Sequence, residues 1–111
     1  MPGILSPFLL AKQLENQVRS ALALIDLQSL PKAEQELAAA LKRNLDDARL
    51  DARDYELSET RQEQLRNARQ GKARLEASRK QILGLSEYNV FGPADVAQLT
   101  ARLEQIIDNL Q

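Results

Sequence analysis

A chain of 111 residues with a formal net charge of -1 and neither cysteine nor histidine has room for one modest core. Disulfides, thiolate catalysis and cysteine-held zinc are excluded, and so are the commonest general base and the imidazole metal ligand. The near-neutral balance gives the molecule no overall attraction to phosphate or anionic lipid.

Ala, Leu, Glu, Lys and Arg make up 59 residues, against eight Val and Ile, four Gly and four Pro. That bias favours helix and leaves little material for β-turns. The expected fold class is all-α: a four-helix up-down bundle, or a long helical hairpin with coiled-coil-like packing. It would form a single helical domain over 1–111, with helices near 7–28, 31–57, 60–84 and 93–110.

The N-terminus, MPGILSPFLLAKQ, carries no basic residue before Lys12, and Pro2 and Pro7 interrupt its apolar run. It lacks the pattern of a secretory signal. No apolar segment approaches the ~18 residues that span a bilayer. The expectation is a soluble, cytoplasmic protein without a membrane partner.

Ser6 suits an N-cap, Pro7 the first helical position, and Leu5 with Leu10 a hydrophobic staple. Leu14, Val18, Leu22 and Ile25 then form one apolar stripe, while Leu9, Leu24 and Leu27 fall well off it. A helix apolar on two sides is central in a bundle or meets a partner. Leu9, Leu24 and Leu27 are therefore candidate partner-binding residues.

Ser29-Leu30-Pro31 ends this helix, and Pro31 fits the N1 position of the next. Leu37, Leu41, Leu45, Ala48, Ala52 and Tyr55 give near-heptad spacing, shrinking from Leu to Ala. The next stripe (Leu57, Ala68, Leu75, Ile82) lies about half a turn away. One straight helix cannot aim both at the same neighbour. Thr60-Arg61-Gln62-Glu63 has the form of a capping box, so a reversal is expected at Ser58–Thr60. Gly84 reads as a helix C-cap. After the loop SEYNVFGP, Gly92, Pro93 and Asp95 mark a new N-terminus, with Phe91 stapled to Val96. Val96, Leu99, Leu103, Ile106 and Leu110 complete a 3-4-3-4 stripe.

Little here supports catalysis. No two glycines lie closer than eight residues apart, so there is no phosphate cradle. Asp47, Asp51 and Asp54 share a helical face, which could hold Mg²⁺ or Ca²⁺, but a salt-bridged acidic face is the plainer reading. No catalytic residue, cofactor or metal site is assigned.

Two features bear on partners. Residues 61–80 hold seven bases and two acids, and residues 44–60 hold six acids and two bases. Folded back at Ser58–Thr60, the two blocks would pair and select register more than supply stability. Alternatively, Arg66, Arg69, Lys72, Arg74, Arg79 and Lys80 could contact nucleic acid. Against that, the stretch Leu57–Glu87 has no aromatic residue for base stacking, and Arg66, Arg69, Arg74 and Lys80 are read as spread around the helix. The second feature is SEYNVFGP, whose Tyr88 and Phe91 are candidate hot-spot residues unless they cover the bundle end. The leading expectation is a non-enzymatic helical protein–protein interaction module, an adapter, assembly or regulatory subunit. Its partner would be another protein or a second copy of itself. The runner-up is a small nucleic-acid-binding protein using 61–80.

Overall fold

In a computed structural model, which describes residues 5–88 and 90–110, every regular element is helical. Met1–Ile4, on which part of the N-terminal reading rests, lie outside the described residues. The helices are α1 (Pro7–Ala23), α2 (Lys32–Leu57), α3 (Arg61–Ser86) and α4 (Pro93–Asn109), with a short 3-10 turn at Leu27–Ser29. Each helix packs on the next, and α4 closes back on α1. Neighbours are antiparallel: Glu15 of α1 meets Arg49 of α2, Asn44 of α2 meets Gln81 of α3, and Arg79 of α3 meets Glu104 of α4. The result is the up-down bundle that short loops and amphipathic helices favour.

Capping fixes where the helices start. The Ser6 hydroxyl accepts from the Leu9 amide at 3.2 Å, and the Thr60 hydroxyl accepts from the Glu63 amide at 3.1 Å. Each satisfies a donor that the first helical turn leaves orphaned, worth about 1 kcal/mol. The chain reverses over Ser58–Thr60, and Asn67 donates to the Ser58 hydroxyl across the turn. Pro31 serves as the N-cap of α2 rather than N1. It has no capping side chain, and its carbonyl accepts from Glu34 and Gln35.

The core is filled chiefly by Leu14, Val18 and Leu22 from α1, Leu41 and Leu45 from α2, Leu75 and Ile82 from α3, and Leu103 and Ile106 from α4. The contact between α2 and α3 uses small residues as well: Ala48 and Ala52 on one side, Ala68, Gly71 and Ser78 on the other are all buried. Gly71 marks a close approach. A Cβ there would lie 3.1 Å from Leu110 Cδ1 and 3.5 Å from Asp51 Cβ.

Four further expectations need correction. α1 stops at Ala23, because Leu24 takes the C-cap and Asp26 turns extended to cap the 3-10 segment. Leu24 and Leu27 therefore do not extend a second face of α1, and Leu27 packs against the core. Leu57 ends α2 with 70% of its surface exposed, instead of opening the α3 stripe. Gly84 is no cap: α3 runs on to Ser86, and a Cβ at Gly84 would meet Leu37 Cδ2 at 3.0 Å. Phe91 is only 2% exposed and belongs to the core. A ring sealed into the bundle end cannot anchor a partner, which removes it as a hot-spot residue.

Candidate interaction surfaces

The acidic face of α2 is occupied from within. Arg74 of α3 donates through Nε to Asp51 at 2.6 Å and through Nη1 to Asp47 at 3.2 Å. Asp51 is buried, and burial pushes its carboxyl pKa up, opposed by the Arg74 hydrogen bond and charge. Asp54 pairs with Arg53 at 3.2 Å. The acidic face is thus salt-bridged, its charge met by guanidinium groups. Among the described residues no three His, Cys, Asp or Glu side chains are grouped to hold a metal ion.

A second polar cluster joins α1 to α2. Glu15 is buried and lies 3.5 Å from both Arg19 and Arg49, while Arg49 also donates to Asp46 at 2.5 Å. At 3.5 Å the Glu15–Arg49 contact is coulombic rather than an aligned hydrogen bond, and among the described residues neither Glu15 Oε2 nor Arg49 Nε has a hydrogen-bond partner. Truncating one member would leave the other's charge partly stranded, so the cluster fixes register between the two helices.

The matched charge blocks meet only in part. Of the six bases in 65–80, Arg74 alone reaches the acids of α2. Arg79 turns to α4, 3.3 Å from Glu104, and to Glu76 at 3.6 Å. Arg66, Arg69, Lys72 and Lys80 form no ion pair with any described residue. Of the four bases read as spread around the helix, Arg74 turns away onto α2, while Arg66, Arg69 and Lys80 share one side. At 100° per residue, Arg69, Lys72 and Lys80 fall within about 80° of one another, with Arg66 at their flank.

The partner-binding candidates separate in the fold. Leu9 is exposed near the start of α1, and Leu24 is 90% exposed beyond its end. Fifteen residues separate them, about 22 Å along a helix. Leu24 stands at the edge of a groove of about 570 Å³ between the end of α1 and the start of α4. Ile25, Val90 and Leu99 supply its apolar lining, and Asn16, Gln98 and Asp95 its polar edge. Sequence periodicity could not reveal this lining, since its residues come from two helices and a loop. Tyr88 is half-exposed, and the charge of the neighbouring Glu34 carboxylate, followed by a hydrogen bond to it, holds the phenol above its ordinary pKa. The tyrosine hydroxyl is thus engaged by the buried Glu34 carboxylate.

No helix among the described residues is long and apolar enough to cross a membrane. No family model, curated protein or solved structure matches the chain.

Proposed function

We propose that this chain is a non-enzymatic helical interaction module that assembles with a second copy of itself through the groove between α1 and α4. The observation that carries this reading is Leu24. A leucine 90% exposed leaves most of its apolar surface in water, and full burial would be worth roughly 1.5–3 kcal/mol. It stands directly beside an apolar groove of its own chain. Such a pair is self-complementary: about a two-fold axis, Leu24 of each copy enters the groove of the other. Among the described residues, Asp95 is the only ionisable one lining the groove. Two copies therefore meet there with little like-charge repulsion, and the neutral amides at the edge can be hydrated or paired.

Replacing Leu24 tests the idea. Wild-type protein should sediment near twice 12.5 kDa, and Leu24→Glu should sediment as the monomer with unchanged helical circular dichroism. Leu24 touches little of its own fold, so a loss of helix content is not expected. Equal masses for the two proteins at every concentration would overturn the proposal.

A further inference from the structure

The outward face of α3 combines two leucines with a run of bases. Leu65 and Leu83 lie eighteen residues apart, which is five full helical turns, so they share one azimuth about 27 Å apart. Leu65 is half-buried, and Leu83 is 46% exposed. Between them stand the unpaired Arg66, Arg69, Lys72 and Lys80, broken only by Glu76, which Arg79 already engages at 3.6 Å. Gln62, Leu65, Arg66 and Arg69 line a depression of about 340 Å³ at the N-terminal end. The described part of α4 ends level with Gly71, where Leu110 meets that glycine. The first turns of α3 therefore project past it.

We propose that this face is a docking surface for an acidic amphipathic helix of a partner protein, with Leu65 and Leu83 as apolar end-anchors and Arg66, Arg69, Lys72 and Lys80 as the charge complement. Charge decides among the occupants. A second copy would bring four uncompensated cations against four more, and like charges brought together oppose docking. A nucleic-acid strand would find phosphate partners but no aromatic platform between Leu57 and Glu87, and it would leave both leucines unused. A helix with Leu at its ends and Glu between them meets both leucines and all four cations, while Glu76 stays engaged by Arg79. Its length is also set: about eighteen residues span the two leucines. The surface is separate from the α1–α4 groove, so either can fail without the other.

The test is fluorescence anisotropy of a labelled helical peptide of three Leu-Glu-Glu-Ala-Leu-Glu-Glu repeats, titrated with the full chain, beside the same peptide with Lys for Glu. The acidic peptide should bind, weaken as salt rises, and lose roughly tenfold in affinity with Arg66→Gln, Arg69→Gln and Lys72→Gln combined, from three exposed charge pairs. Leu83→Ser should weaken it separately, and Leu24→Glu should leave it unchanged. Equal binding of the two peptides, no binding of the acidic one, or indifference to the triple substitution would overturn the proposal. So would displacement of the peptide by a duplex oligonucleotide or by phosphatidylserine vesicles, since the surface would then read phosphate.

Discussion

The α1–α4 seam and the α2–α3 seam solve the same packing problem with opposite chemistry. Between α1 and α4, large side chains such as Leu14, Val18, Leu103 and Ile106 are buried, and no hydrogen bond or ion pair among the described residues crosses from one helix to the other. Between α2 and α3, small residues let the backbones approach, and Arg74–Asp51, Asn44–Gln81 and Ser58–Asn67 bind the edges. The difference shows on the outside of each pair. The apolar seam opens into a nearly neutral groove that tolerates a second copy. The polar seam consumes one cation of α3 and leaves others on its outward face, which favours a partner of opposite charge.

The largest test of this contrast is a cavity in the apolar seam. Leu103→Ala should lower the unfolding free energy by about 2–5 kcal/mol, measured by urea denaturation, because the leucine is fully buried and neighbours collapse only partly into the space. If the seam were held by polar contacts instead, the loss would be much smaller. Next comes the polar seam. Arg74→Met should cost about 1–2 kcal/mol at neutral pH, a value discounted for the partial exposure of Arg74. The cost arises from leaving the Asp51 carboxylate buried without its donor, so it should shrink as acid neutralises that group. A pH-independent loss would show that packing of the arginine stem, not its charge, was removed.

The smallest effect is the most specific. Asp51 has a raised pKa in the fold, so the native state binds its proton more readily than the unfolded chain. The stability that protonation confers is present below the unfolded value, about 3.9, and is lost as pH rises through the folded one. Asp51→Asn removes that dependence while still offering an oxygen to Arg74. Its stability relative to wild type should therefore climb as pH rises from about 4 toward neutrality, read by urea denaturation across that range. A fall over that range would mean the Arg74 pair outweighs burial.

Particular residues show where sequence reading succeeds. Ser6 and Thr60 were legible as N-caps because a capping hydroxyl acts within three residues of its own position. The stripes of α1, α2 and α4 were legible because a helix buries whatever recurs at its period. Leu57 and Gly84 were misplaced because helix ends depend on what the chain packs against. Phe91 could be read as either anchor or cover, and only burial distinguishes the two. Leu65 and Leu83 went unremarked although their spacing is a whole number of turns. They become conspicuous once Ala68, Leu75 and Ile82 are known to face inward, which leaves the two leucines outside.

The sequence by itself determined an all-α chain, three of its four main helix starts, and the turn at Ser58–Thr60, since composition, caps and periodicity are local properties. Tertiary structure decided the rest. Which arginine would be spent inside the fold depended on the rotation and register of α3 against α2 and α4, and those were set by side-chain volumes meeting across helices. Arg74 and Arg79 were thereby turned onto neighbouring helices, while Arg66, Arg69, Lys72 and Lys80 stayed outside. Charge can be counted along a chain, but its availability to a partner is a property of the packed surface.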